Sequence, residues 1–186
     1  MRILQKEDKR LRQKSKEVEA SDISSPKIKR IISQMKEALD SQDDGVAIAA
    51  PQVGELLRIF VVSGKVETLI RMQKEKNKRE KFPDLKDIVK KFPDLVFINP
   101  KITKLSREKE MMEEGCLSVR FLYGKVKRHK KVSLEALDEK GKPIKKGASG
   151  LLAQIFQHET DHLEGTLFTD KAESLEEIKP VKTTKA

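Results

Sequence analysis

The sequence has few cysteine and aromatic residues and no long apolar run. It contains one cysteine, one tyrosine and no tryptophan in 186 residues. A single cysteine cannot form an internal disulfide, so the chain suits a reducing compartment rather than the disulfide-rich secreted class. No apolar run approaches the roughly 20 residues of a membrane span, and residues 1–6 lack the apolar segment of a signal peptide. We therefore expect a cytoplasmic protein without a membrane partner.

Charge is abundant where aromatic residues are scarce. Charged residues make up 38% of the sequence and aromatic residues 4%, with a formal net charge of +10. Acidic residues are interspersed with basic ones along most of the chain, which is typical of a solvated surface. We therefore expect no sequence-specific binding of nucleic acid, although the net charge is compatible with a ribosome contact through a basic surface. The length favours one domain.

A His-Glu-any-any-His pattern stands toward the C-terminal end of the sequence. His158 and His162 would lie one turn apart on a helix, so both imidazoles can reach one metal ion. Glu159 between them can act as a general base toward water on that ion. Ser149 can cap this helix and Gly165 can end it. The alternative is a core helix with two hydrogen-bonded histidines, because so short a pattern arises by chance.

A third ligand would decide between these alternatives, and Cys116 is the first candidate. It stands in Glu-Gly-Cys-Leu-Ser, where Gly115 lets the chain turn beside it, and a thiolate is a good ligand for zinc or iron. A lone cysteine is otherwise a small buried hydrophobe. An ordinary zinc metallopeptidase would instead take its third ligand from Glu173, Glu176 or Glu177.

Small apolar residues bounded by glycines occupy residues 45–54. Such a segment lets the backbone run close to a ligand or to another element. Gln52 is the one polar side chain in this run, and a buried amide needs a partner. The simplest interpretation is a tight strand whose glutamine bonds to backbone.

Apolar periodicity predicts the main elements. Residues 26–39 are predicted to form a packing helix that Ser25 caps. Strands are predicted at residues 56–63, 95–100, 101–106, 123–128 and 131–137, with a turn at residues 138–143.

Residues 65–94 differ from the flanking sequence and predict a basic surface insertion with one or two docked helices. Lys-Phe-Pro-Asp-Leu occurs there twice, at residues 81–85 and 91–95, which is too few copies for a repeat architecture. A short helix between the two prolines would be lined by Phe82, Leu85, Val89 and Phe92. From Ala172 onward the chain is polar and is expected to fray.

Three stretches together resemble the peptide deformylase family. They are residues 45–52, ending in Ala-Ala-Pro-Gln, residues 114–118, Glu-Gly-Cys-Leu-Ser, and residues 157–163, Gln-His-Glu-Thr-Asp-His-Leu. The resemblance implies a catalytic domain over residues 1–170, carrying the 65–94 insertion, followed by a polar tail over residues 171–186. It also implies an α+β fold in which antiparallel strands surround a central metal-binding helix, with further packing helices outside.

The resemblance further implies a metal-dependent hydrolase that removes the formyl group from N-formylmethionine of new polypeptides. Cys116, His158 and His162 would bind one divalent ion. Fe²⁺ is the expected ion, and Zn²⁺, Ni²⁺ or Co²⁺ also suit these ligands. Glu159 would move the proton, while the Leu117 backbone N–H and the Gln52 amide would stabilise the oxyanion. The methionine pocket would be formed by Gly45, Val46, Met112, Leu151 and Ile155.

Three residues depart from the family pattern. Ala47 stands where glycine is usual, which requires a negative φ and would affect substrate binding. Arg120 and Phe121 stand where many members have Pro-Gly. Asp161 is expected to orient a ligand or to pair with Arg128.

The departures leave open a deformylase-like protein that binds without turnover, docked on ribosomal RNA. An assay on formyl-Met-Ala-Ser would distinguish this alternative from an active deformylase and from an ordinary zinc metallopeptidase.

Overall fold

The computed structural model describes residues 2–75 and 87–178. Within these residues the chain forms three α-helices, namely α1 Pro26–Asp40, α2 Gly64–Glu75 and α3 Gly150–Leu163. The strands of the same residues are β1 Ala47–Ala49, β2 Ile59–Val62, β3 Leu95–Leu105, β4 Lys109–Cys116, β5 Val119–His129, β6 Lys131–Leu137, β7 Pro143–Ser149 and β8 Ala172–Glu177. None of the described helices is long and apolar enough to cross a membrane.

The strands form two sheets in which every described pair is antiparallel. One sheet has the order β1-β2-β3-β6-β7 and the other has the order β4-β5-β8. Helix α3 packs on the larger sheet through Phe156, whose ring centroid lies 5.2 Å from that of Phe97 and 6.0 Å from that of Phe60. All three rings are buried. The predicted α+β class with antiparallel sheets is confirmed.

Helix α1 forms as its sequence predicts. The Ile28 backbone N–H donates to Ser25 Oγ at 3.3 Å, and Pro26 occupies the first turn, where a missing N–H costs nothing. The apolar stripe is buried, and its members are Ile28, Ile31, Ile32, Met35, Ala38 and Leu39. This helix packs against β1, whose Ile48 belongs to the same buried apolar cluster.

Several strands differ from the sequence-based predictions. Residues 95–106 were predicted as two strands, but β3 runs continuously, and register shifts after Ile98 and Ile102 take up the irregularity. Strands β4 and β7 were not predicted because charged side chains interrupt their alternation. Strand β8 contradicts the expected fraying of residues 172–177, because backbone pairing with β5 is enough to order an edge strand of polar residues.

The insertion is described in part. One of its predicted helices is confirmed as α2, and the Arg71 guanidinium lies 4.3 Å from the centroid of the Phe92 ring. Val89 and Phe92 lie in an irregular segment rather than in the predicted short helix. The predicted positions of Phe82 and Leu85 fall outside the described residues.

Candidate metal centre

Cys116, His158 and His162 come together although they belong to different elements. Cys116 ends β4, and both histidines project from α3. One ligand atom of each residue lies within 4.8 Å of the other two, and Cys116 Sγ is 3.2 Å from His162 Nε2. The imidazoles meet because residues four apart on a helix share a face.

The chemistry of this group fits a divalent transition metal. A thiolate with two imidazoles is a donor set that zinc and iron accept, and three protein ligands leave a coordination position open. Glu159 Oε2 next to these three side chains, and Nδ1 of His162 itself, are buried without a hydrogen-bond partner among the described residues. Buried polar atoms are rarely left unpaired, so this site is built for further polar contacts.

Glu159 lies beside the group and is 4% exposed. Burial raises the pKa of this carboxyl to about 7, with Glu114 and Asp161 adding to the rise and His158 opposing it. A carboxyl with a pKa near neutrality can both take and return a proton near neutral pH. A carboxyl of this kind is suited to proton transfer beside the three side chains.

Glu114 has a role that sequence reasoning missed. His158 Nδ1 lies 2.9 Å from Glu114 Oε2, and a hydrogen bond of this kind fixes the orientation of the imidazole ring. Arg128 binds the same carboxylate through Nε at 2.7 Å and Nη2 at 2.9 Å. Burial alone would raise the pKa of Glu114, but hydrogen bonds from Arg128 and His158 outweigh it and hold the pKa at about 2. The carboxylate therefore stays ionised.

Asp161 extends this network, as the sequence predicted. Arg128 Nη1 donates to Asp161 Oδ2 at 2.6 Å, and Lys171 Nζ donates to Asp161 Oδ1 at 2.5 Å. The pairing of Asp161 with Arg128 is confirmed. It connects β5 to α3 directly behind His158.

Gln52 makes contacts that fit both predictions for it, a structural amide bonded to the backbone and an amide placed near the candidate metal centre. Its Oε1 accepts a hydrogen bond from the Ala49 backbone N–H at 2.8 Å, as a structural amide would. Its Nε2 donates to Ser118 Oγ at 3.1 Å and lies 3.5 Å from Cys116 Sγ. The amide nitrogen is therefore held beside the metal group, that is, Cys116, His158 and His162.

A cavity of about 360 Å³ opens next to the group, within the range of small-ligand sites. Its walls include nine of the predicted site residues, namely Gly45, Val46, Gln52, Cys116, Leu117, Leu151, Ile155, His158 and Glu159. Met112 is not among its described lining residues, because β4 reaches the cavity only from Glu113 onward. Ala47 also lines it and, as expected, has no positive φ.

The carboxylates of the metallopeptidase alternative lie elsewhere. Glu173, Glu176 and Glu177 are exposed on β8. Among the described residues, the group able to hold an ion contains none of them.

Comparison with known proteins identifies the family. Residues 1–177 match the family model described as polypeptide deformylase. The chain belongs to this family. It is 42% identical over 164 residues to peptide deformylase 2 of Clostridium acetobutylicum, with 88% of this chain and 89% of that protein covered. The resemblance read from the three sequence motifs, and the enzyme class it implied, are confirmed.

Solved deformylase structures share the fold. A peptide deformylase from Synechococcus elongatus in complex with actinonin has a TM-score of 0.72 at 35% identity, covering 92% of this chain and 78% of that chain. The Met-Ala-Ser-bound class I type b peptide deformylase from Acinetobacter baumannii has a TM-score of 0.75 at 28% identity, with 92% and 97% covered. Both similarities extend over nearly the whole of this chain.

Proposed function

We propose that this protein removes the N-formyl group from the formylmethionine of new polypeptides and releases formate. The observation that carries the proposal is the meeting of Cys116, His158 and His162 with the buried Glu159 beside the cavity. Membership of the deformylase family supports it. So does the structural neighbour whose bound peptide is Met-Ala-Ser, since that sequence corresponds to a deformylated peptide.

Cys116, His158 and His162 would hold one divalent ion, which acts as a Lewis acid and makes water a better nucleophile. We propose Fe²⁺ as the ion in the cell. The same donors also accept Zn²⁺, Ni²⁺ and Co²⁺. Glu114 supports the ligands by keeping the His158 ring oriented and its Nδ1 occupied.

Glu159 would carry the proton through the reaction. It takes a proton from the attacking water, whose oxygen forms a bond to the formyl carbon. It then delivers that proton to the amide nitrogen as the carbon–nitrogen bond breaks. The products are formate and a peptide with a free amino group, so one water is consumed for each bond cleaved.

Two donors would stabilise the negative charge on the formyl oxygen. The Gln52 amide is held beside Cys116 by its bond to Ala49. The backbone N–H of Leu117 directly follows the Cys116 ligand in the chain. Fixed donors of this kind stabilise a developing oxyanion because they need little reorganisation during the reaction.

The methionine side chain would bind the apolar part of the cavity. Val46, Leu151 and Ile155 supply its apolar wall, and Gly45 lets the substrate backbone approach closely. The substrate would be the start of a nascent chain, so we also propose a cytoplasmic site of action and a ribosome contact through the basic surface.

The decisive experiment is an assay of formate release from formyl-Met-Ala-Ser, with acetyl-Met-Ala-Ser as the matched control. We expect formate and Met-Ala-Ser as products, and loss of the activity when a chelator removes the metal. Cleavage of the Met–Ala bond would indicate a peptidase instead. Binding of the peptide without turnover would indicate a deformylase-like binding protein. Either result would refute the proposal.

A further inference from the structure

Arg120 joins the two sides of the cavity at its exposed end. Its Nη1 donates to Asp44 Oδ2 at 2.8 Å and to Oδ1 at 3.1 Å, and its Nη2 donates to Gln42 Oε1. Arg120 belongs to β5, whereas Asp44 lies in the loop before β1. Both residues line the cavity. We name this contact the clasp, consisting of Arg120, Asp44 and Gln42.

The clasp lies where a bound peptide would leave the cavity. Glu159, which also lines the cavity, is only 4% exposed. The Arg120 and Asp44 side chains are 30% and 53% exposed. If methionine occupies the apolar wall beside Glu159, the residues after it must pass this open end.

Most of the charged side chains at this end of the cavity belong to the clasp. Phe121 and Tyr123 are 48% and 40% exposed and line the same rim. Glu113 is the further exposed carboxylate that lines the cavity. Within the clasp the guanidinium and the Asp44 carboxylate cancel each other.

We propose that the Arg120–Asp44 pair determines specificity for the residues that follow methionine. This proposal rests on the proposed deformylase function. By neutralising both charges, the pair lets peptides of either charge enter with similar efficiency. It also holds the segment before β1 against β5, which keeps the rim at a fixed width. Nascent chains differ in the residues after methionine, so an Arg120–Asp44 pair with no net charge suits a broad range of substrates.

Each half of the pair has a definite effect when its partner is removed. Without Asp44, the Arg120 guanidinium is free to attract a carboxylate of the substrate. Without Arg120, the Asp44 carboxylate attracts a substrate ammonium group and adds to Glu113. The two single changes must therefore shift charge preference in opposite directions. A merely structural role would lower activity on all peptides alike.

The test compares Asp44→Ala, Arg120→Ala and the exchanged pair Asp44→Arg with Arg120→Asp. Substrates are formyl-Met-Ala-Ser, formyl-Met-Glu-Glu and formyl-Met-Lys-Lys, each measured for kcat and KM on the metal-loaded enzyme. Lys145→Ala is the matched control, because it breaks an exposed ion pair with Glu135 away from the cavity. Asp44→Asn replaces Asp44→Ala if melting curves show that the alanine variant is unfolded.

Relative to the native enzyme, we expect Asp44→Ala to favour the Glu-Glu peptide about three- to fivefold in kcat/KM, the size of one exposed charge pair. Arg120→Ala should favour the Lys-Lys peptide by a similar factor. Both effects should lie in KM, with kcat unchanged, and the exchanged pair should restore the native ratio. High salt should remove the preferences.

Shifts of the same sign, or no shift, would overturn the proposal if the native enzyme deformylates formyl-Met-Ala-Ser. If the native enzyme deformylates none of the three peptides, the proposed function itself fails, and this inference fails with it.

Discussion

At the scale of single residues, Cys116 distinguishes the deformylase arrangement from an ordinary zinc peptidase. We predict that Cys116→Ala loses bound metal, because two imidazoles alone hold an ion weakly compared with a set that includes a thiolate. Metal content per chain, measured after dialysis, is the readout. Glu176→Ala is the control, since this carboxylate is exposed on β8. A Cys116→Ala protein that retains full metal would contradict the ligand assignment.

Glu159 is predicted to be essential for turnover but not for metal binding. Glu159→Gln keeps the shape of the side chain and loses the ability to accept a proton. Turnover of formyl-Met-Ala-Ser should fall by about a hundredfold or more, with metal content unchanged. The Gln154→Ala variant serves as the control, because Gln154 lines the same cavity and donates a hydrogen bond to the Glu113 carbonyl. A near-normal rate in Glu159→Gln would mean that another group moves the proton.

The site residues differ in how far sequence could predict them. His158, Glu159 and His162 are close in sequence, so helical periodicity alone brings them together. Glu114 is different, because its bond to His158 joins residues that are 44 positions apart. No local pattern reports such a contact. Met112 was carried over from the family pattern, and it is not among the described residues that line the cavity.

Phe121 carries a strain that a substitution can measure. Its φ is 63°, in the left-handed region that favours glycine, and such a conformation costs a side-chain-bearing residue roughly 1–2 kcal/mol. We predict that Phe121→Gly is more stable to urea than Phe121→Ala by about 1 kcal/mol. Both variants lose the ring, and only alanine retains the backbone strain. Equal stabilities would show that the backbone at this position is relaxed.

At the scale of elements, the site depends on the contact between α3 and the smaller sheet. Arg128 of β5 joins Glu114 of β4 to Asp161 of α3, and its side chain is 4% exposed. Glu114 lies on the strand that pairs with β5, whereas Asp161 lies on α3, 33 residues further along the chain. Because Glu114 also holds His158, the same contact that joins these elements also orients an imidazole of the candidate metal centre.

We predict that Arg128→Ala strongly destabilises the metal-free protein. Removing the guanidinium leaves the Glu114 carboxylate buried without its main partner, which costs roughly 3–5 kcal/mol. Urea unfolding of the metal-free protein measures this loss. Lys145→Ala removes an exposed partner of Glu135 and should have no measurable effect. A loss for Arg128→Ala no larger than that of the control would show that this network contributes little to stability.

The elements that were predicted from the sequence are those that bury the side chains of one face or of both faces. Helix α1 and strand β6 show clear apolar periodicity, and both appear within a residue of their predicted ends. Strands β4, β7 and β8 expose charged side chains and are ordered mainly by backbone hydrogen bonds to their neighbours. Such pairing depends on the partner strand and leaves little trace in the sequence of the strand itself.

At the scale of the whole molecule, the metal group joins the two sheets of the fold. Cys116 comes from the smaller sheet, while α3, which carries both histidines, packs against the larger one. The high net charge lies on the outside of this arrangement, where basic and acidic residues alternate. The cavity opens between the sheets, so its width depends on contacts that cross from one to the other. The clasp joins the smaller sheet to the loop before β1, and the Arg128 network joins the smaller sheet to α3.

The C-terminal boundary of the folded domain follows from the same arrangement. The sequence placed this boundary at residue 170, but β8 pairs with β5 from Val126 to Leu122, and the Ile178 N–H donates to the Phe121 carbonyl at 2.8 Å. We predict that a chain ending at Asp170 is less stable than one ending at Ile178 by on the order of 2 kcal/mol or more, because several backbone hydrogen bonds are lost together. Urea unfolding of the two truncated chains isolates β8. Because Phe121 lines the cavity rim, the shorter chain should also show a raised KM for formyl-Met-Ala-Ser. Equal stability and equal KM would restore the boundary at residue 170 and would make β8 dispensable for the site.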